Sequence, residues 1–175
     1  MAGYAGVLCP IYCERRINPF MQLGRAEREI LRILQKEGRI SIVELASRIG
    51  LSESPAFRRV KALEQAGVIN SYSAWLNQRK VGLQVTAFVQ ITLEKGDGSK
   101  LRTFLAQVEA EEYIVECHGM SGSCDYLLKV VATSMDHFSE LCMQRILNFA
   151  GVKNIESQFS LWAVKQGAPL PLPGN

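Results

Sequence analysis

Ser52, Ser54, Arg58, Arg59, Lys61 and Gln65 bring hydroxyls, cations and an amide into one short stretch of the chain. These groups suit the surface of duplex DNA. Arg can form two parallel hydrogen bonds to guanine, Gln can pair with adenine, and Lys or Ser can hold a phosphate. Their division between bases and phosphates is open at this stage. On a helix, Ser54, Arg58, Arg59, Lys61, Ala62 and Gln65 share one arc, whose small members allow close approach to a groove. Ala56, Phe57, Val60 and Leu63 share the other side and are expected to face a core. Taken alone, two Arg and one Lys would also serve simply to solvate an amphipathic helix, so the preceding residues decide.

Those residues supply the elements that would position the arc. Ser41 with Glu44 has the spacing of a capping box and predicts a short helix start. Gly50 ends that helix in a tight turn, because it reaches positive φ without steric cost, and Leu51 plugs the turn. Ser54 before Pro55 gives an N-cap and a first helical residue for the next helix, with Ser52 as the other candidate cap. Residues 41–67 therefore read as a helix-turn-helix. Upstream, Ile30, Leu31, Ile33 and Leu34 form an apolar stripe within 25–37, closed by Gly38 as a C′ residue. Downstream, 68–76 reads as a short strand that completes a trihelical unit. Residues 25–75 carry nine Lys or Arg against six Asp or Glu, whereas residues from 76 onward carry nine against ten. The positive excess lies with the helix-turn-helix.

With 175 residues and a net charge of +3, two compact units fit, and a localised patch rather than bulk charge must attract any polyanion. The cysteines are Cys9, Cys13, Cys117, Cys124 and Cys142, odd in number and scattered, which argues against a disulfide framework. Cys9 and Cys13 find no matching ligands in His118 or His137, so neither a metal nor another cofactor is expected. No Ser-His-Asp set, P-loop or paired-carboxylate arrangement is present, which weighs against an enzyme. The first residues make a poor secretion signal, and no apolar stretch reaches the roughly 18 to 20 residues of a membrane span. A cytoplasmic protein is expected, with 1–22 an N-terminal extension that need not be ordered.

From residue 85 the pattern changes. Residues 85–93, 113–120, 126–133 and 152–163 are rich in β-branched and aromatic side chains, and helical patterns at 100–110 and 135–149 lie between them. Gly96, Asp97 and Gly98 break the chain before the first helix, residues 121–125 connect the middle strands, and Gly151 precedes the last strand. The order βαββαβ is the ferredoxin-like arrangement. Both helices would cover one sheet face, leaving the other to a second copy of the chain, so at least a homodimer is expected.

Together the halves resemble the Lrp/AsnC, or feast/famine, family of bacterial and archaeal transcription regulators. The resemblance spans about residues 23–163. It rests on Ile30, Leu31, Ile33, Leu34, Gln35, Gly38 and Arg39; on Leu51, Ser52, Ser54 and Pro55; and on Arg58, Arg59, Val60, Lys61, Leu63, Glu64, Ala66, Gly67, Val68 and Ile69. In the second half it rests on Glu116, Cys117 and His118, and on Gly122, Asp125, Tyr126, Leu127 and Leu128. The resemblance implies an α+β chain: a DNA-binding helix-turn-helix at 23–76, a linker at 77–84 and a ferredoxin-like effector and oligomerisation domain at 85–166. It also implies dimers that can build tetramers or octamers. The linker departs from the family's frequent Pro at Gln78. By the same resemblance an amino-acid effector would sit at Met120, Ser121, Gly122, Cys124 and Asp125. Asp125 could face its ammonium, while Ser121 and backbone N–H groups beside Gly122 face its carboxylate. Gly122 and Asp125 are equally ordinary turn formers. His118-Gly119 faintly resembles sirohaem-type tetrapyrrole decarboxylases of similar layout, and an architectural DNA-compacting protein is the third reading. The tail Pro169, Leu170, Pro171, Leu172 and Pro173 favours a mobile, extended end over 167–175.

Overall fold

A computed structural model of the chain describes residues 22–94 and 98–173. Cys9, Cys13, the extension through Met21, Gly96 and Asp97 lie outside the described residues. The described chain divides into two units, one of residues up to Ala74 joined by those from Gly167, and the other Trp75–Gln166.

The first unit is built on three helices, α1 (Arg25–Leu34), α2 (Ile42–Ile49) and α3 (Glu53–Gln65). Ser41 Oγ accepts the Glu44 N–H at 3.2 Å, while the Glu44 carboxylate turns to Arg48, so half of the expected capping box forms. Gly50 lies at φ 69° and Leu51 N–H reaches back to the Ala46 carbonyl at 3.0 Å, a left-handed closure available to Gly at no cost. Gly67, also at φ 69°, ends α3 in the same manner, with Val68 N–H on the Leu63 carbonyl at 2.9 Å. Ile30, Leu31, Leu45, Val60 and Leu63 form the core between the helices.

Four expectations are corrected in this unit. The helix of 25–37 ends at Leu34, because Lys36 and Glu37 N–H groups both fold onto the Ile33 carbonyl; Gly38 is therefore not a left-handed C′ residue. Ser52, not Ser54, holds the N-cap position of α3. Pro55 then falls within the first turn, where its missing N–H would have had no helical acceptor in any case. No strand forms over 68–76: Val68 and Ile69 N–H groups bond the Leu63 carbonyl, their side chains join the helical core, and no strand is there to pair with them. The short strand expected to lead into the linker is thus absent from the described chain. Finally, the tail is not a free end. Gln35 holds Leu170 by its main chain, donating to the Leu170 carbonyl at 3.3 Å and accepting its N–H, and Leu172 packs on the helical core. Polyproline-like backbone has unpaired polar groups, and a Gln side chain satisfies one donor and one acceptor at once. Deleting residues 169–175 should therefore destabilise the helical unit by about 1 kcal/mol, the scale of one partly buried Leu. Thermal denaturation followed by circular dichroism measures this; an unmoved midpoint would show that the clasp contributes nothing.

The second unit opens with a 3₁₀ turn, Gln78–Val81, followed by β1 (Val85–Leu93), α4 (Gly98–Ala110), β2 (Ile114–Gly119), β3 (Tyr126–Ala132), the helical segment α5 (Met135–Glu140) and β4 (Val152–Phe159). Gln78 Nε2 donates to Thr86 Oγ1 at 2.8 Å, a bond that a Pro at this linker position could not make. The sheet runs β2-β3-β1-β4 with every neighbouring pair antiparallel, the ferredoxin-like order. After Glu140 the last helical stretch widens into a π turn, Leu141–Arg145, then tightens through Ile146–Asn148, so Leu141, Cys142 and Ile146 are all buried. The final strand stops at Phe159 rather than running on to 163. Ser160 N–H still bonds the Thr86 carbonyl at 2.9 Å, but Leu161 and Trp162 extend into solvent.

Alternation along β1 and β3 sends Ala87, Val89, Ile91, Leu128, Val130 and Ala132 to one face, where Phe104 and Val108 of α4 and Phe138 of α5 cover them. Both helices lie on this face. Phe104 is at its centre, 5.1 Å from the Tyr126 ring and 6.4 Å from Phe149. Glu111, a buried carboxylate at the corner after α4, is matched by Arg145 at 3.0 Å.

Candidate nucleic-acid interface and effector loop

Ala56, Val60 and Leu63 bury one side of α3, and the remaining arc faces water. Ser52, Ser54, Arg58, Lys61 and Gln65 are all exposed on that arc or at the helix start, and the Ser52 hydroxyl makes no capping bond that would engage it. Arg58 carries no carboxylate partner among the described residues. Lys61 pairs with Glu64 at 2.7 Å, an exposed contact weak enough for a phosphate to replace.

Arg59 stands apart from the others. At three-residue remove from Ala56 it lies on the flank nearer the core, and its guanidinium pairs with Glu27 of α1. Burial pulls the Glu27 carboxyl upward, but its own backbone N–H, Arg59 and the Gly24 N–H outweigh this and leave it below the ordinary value of 4.5. A carboxyl lowered by folding adds stability above its unfolded value and loses it as pH falls through the folded value. The helical unit should therefore weaken from about pH 4.5 downward. Glu27→Gln should flatten that stretch of the acid-unfolding curve, and an unchanged curve would remove Glu27 as a contributor.

Phe57 departs from the expectation that it faces the core. Its side chain is 51 % exposed, whereas Ala56 beside it is 0 % exposed. The three-residue repeat 57, 60, 63 suggested one stripe, but Ala56 occupies the tightest point of packing and rotates Phe57 outward. The Lys61 ammonium lies 5.8 Å from its ring centroid.

The expected effector residues gather at the connection from β2 to β3. Met120 N–H closes the loop onto the Asp125 carbonyl at 2.9 Å, and Asp125 N–H bonds the Ile91 carbonyl at 2.9 Å. Asp125 Oδ2 accepts the Leu93 N–H at 2.7 Å, just beyond the point where β1 and β3 stop pairing at Ile91 and Tyr126. Asp125 is thus anchored by one oxygen, and among the described residues its second oxygen meets no other donor. Met120, Ser121 and Gly122 are exposed and Cys124 is half-buried. A Cβ at Gly122 would meet nothing within 4 Å, and its φ is not left-handed, so this chain alone does not demand glycine there.

The two histidines lie apart. His118 is exposed on β2, 3.4 Å from Glu116, whose carboxyl is held below its ordinary value chiefly by Lys129 at 2.7 Å. His137 packs edge-on against Tyr113 at 4.5 Å. Among the described residues no group of His, Cys, Asp and Glu could hold a metal ion, and no helix is long and apolar enough to cross a membrane.

Two family descriptions match the chain: winged helix-turn-helix DNA-binding over residues 23–70 and Lrp/AsnC ligand binding domain over residues 86–170. The leucine-responsive regulatory proteins of Escherichia coli (strain K12) and Salmonella typhimurium are each 40% identical over 149 residues, 85% of this chain and 91% of theirs. Among solved structures, a transcriptional regulator in complex with L-Met from Neisseria meningitidis superimposes with a TM-score of 0.82 at 35% identity, covering 85% of this chain and 96% of that one. An AsnC family transcriptional regulator from Agrobacterium tumefaciens gives 0.80 at 33% identity, covering 85% and 97%.

Proposed function

Because the chain belongs to the Lrp/AsnC family of transcription regulators, with its helix-turn-helix and its ligand-binding domain both present, we propose that it binds double-stranded DNA through α3 and answers to an amino acid held at the 120–125 loop. The observation that carries this reading is the two-sidedness of α3, one side buried and the other a solvent-facing row of Ser54, Arg58, Lys61 and Gln65. In this reading Arg58 and Gln65 meet base edges, while Lys61, Ser52 and the free N–H groups at the start of α3 hold phosphates. Arg59 keeps α3 seated on α1 and reaches the backbone by giving up Glu27.

Dimerisation supplies the second recognition helix. The sheet face opposite α4 and α5 carries Phe88, Gln90 and Leu127, which neither of those helices covers, and a second copy covers such a face economically. Half-sites then lie about one helical turn, roughly 10 base pairs, apart or at a multiple of it. Higher assemblies, tetramers or octamers, would change which spacing is favoured. An effector shifts that balance only by binding one assembly more tightly than another.

At the loop, the unused oxygen of Asp125 meets the ammonium of the amino acid. Ser121 and backbone N–H groups beside Gly122 meet its carboxylate, and the open space at Gly122 leaves room for it. Met120 and Cys124 favour a modest apolar side chain, in keeping with the L-Met bound to the Neisseria regulator. The reading assigns no catalytic activity, since exposed His118 is paired with Glu116 rather than set in a cluster.

Screening the twenty amino acids by thermal shift, then by sedimentation with DNA present, tests the effector half. Asp125→Ala should abolish any change in sedimentation that the best amino acid causes; a full response in that variant would exclude Asp125 as a contact. For the DNA half, footprinting on the chain's own promoter against random duplex separates sequence-specific binding from general compaction, and equal affinity for both would favour compaction.

A further inference from the structure

We propose that Phe57 is a specificity-determining residue of α3, with its ring set against the 5-methyl group of a thymine in the major groove. This rests on α3 being the groove-entering helix. Phe57 stands one residue past buried Ala56, on the same exposed flank as Ser54 one turn before it and Lys61 one turn after it. It falls in the second turn of a helix that begins at Glu53, near the end that reaches the bases in helix-turn-helix docking.

The chemistry narrows its target. A phenyl ring offers no hydrogen bond, so it cannot distinguish the donor and acceptor patterns that identify most bases. Thymine alone places an apolar group on the major-groove edge. Half of this ring remains in water within the helical unit, and its recorded cationic neighbour, the Lys61 ammonium at 5.8 Å, is a group suited to a phosphate. Lys61 on the backbone and Phe57 on the methyl would fix the depth of α3 together.

Replacing individual thymines by uracil removes only the methyl. The full chain is first used to select duplexes from a randomised library. Affinities of the wild type, Phe57→Ala and Phe57→Leu are then measured on the selected duplex with each thymine in turn replaced by uracil. At one symmetric pair of positions the wild type should lose about fourfold per half-site, the worth of one methyl. Phe57→Ala should bind the thymine duplex that much more weakly and should not respond to uracil, while Phe57→Leu keeps part of the discrimination. A Phe57→Ala loss that is the same on thymine and uracil at every position overturns the proposal. Selection that enriches no thymine-containing sequence overturns it too, with DNA binding itself intact. A wild type that ignores all duplexes at low salt removes the reading of α3 and this inference with it. Phe57 is half-exposed, so both variants should fold, and their melting curves confirm that the comparison is between folded proteins.

Discussion

Replacing Arg58 and Arg59 together with Ala lowers duplex affinity by about a hundredfold, with roughly 1–3 kcal/mol expected for each arginine that meets a base. The slope of log affinity against log salt falls by about one for each phosphate contact that goes with them. Any self-association through the sheet-bearing unit should be unchanged, since neither residue belongs to it. The two arginines differ in their surroundings, and that separates their effects. Arg58 has no carboxylate partner among the described residues, so Arg58→Ala should account for most of the affinity loss at unchanged stability. Arg59 is tied to Glu27, so Arg59→Ala strips a mostly covered carboxylate of its cation and should lower the stability of the helical unit as well. Titrations at several salt concentrations, with melting curves beside them, read both. If the double variant keeps both its affinity and its slope, α3 is not the DNA-contacting helix.

Phe104→Ala should cost about 3–5 kcal/mol in the second unit, the usual penalty for emptying a fully buried aromatic site. Its ring is completely enclosed, touches Tyr126 and Phe149, and joins α4 to the covered face of β1 and β3. Since domains hold only about 5–15 kcal/mol in reserve, such a loss takes a large share of it. Urea unfolding should show a lower midpoint at an unchanged slope, and self-association and any amino-acid response should weaken with it. A shift below about 1 kcal/mol would mean that the core relaxes around the vacancy.

Local and periodic features were legible before any coordinates. Gly50, Ser41 and the alternation in β1 and β3 state their geometry through covalent limits and side-chain period, and both the trihelical and βαββαβ layouts followed from them. The side on which Phe57 lies is not legible in the sequence, because 57, 60 and 63 satisfy a helical stripe as well as 56, 60 and 63 do. Only the packing of small Ala56 chooses between them. The strand expected at 68–76 failed for a different reason. A β-rich composition shows what would suit a ladder, but forming one needs a partner, and Val68 and Ile69 find theirs in the helical core instead. The bond from Asp125 to Leu93 joins positions 32 residues apart, a pairing that no spacing rule reports. The ion pair that ties Arg59 to α1 is invisible to a helical wheel, because Glu27 lies far away in the chain.

The clasp between Gln35 and Leu170 joins positions 135 residues apart and has a consequence for biosynthesis. As the chain leaves the ribosome, α1, α2 and α3 emerge early, yet the Leu172 side chain that completes their packing is made only after the whole sheet-bearing unit has been translated. A nascent or prematurely terminated polypeptide therefore carries α3 on a scaffold that still lacks one of its packing side chains until synthesis has passed the last proline-flanked leucine.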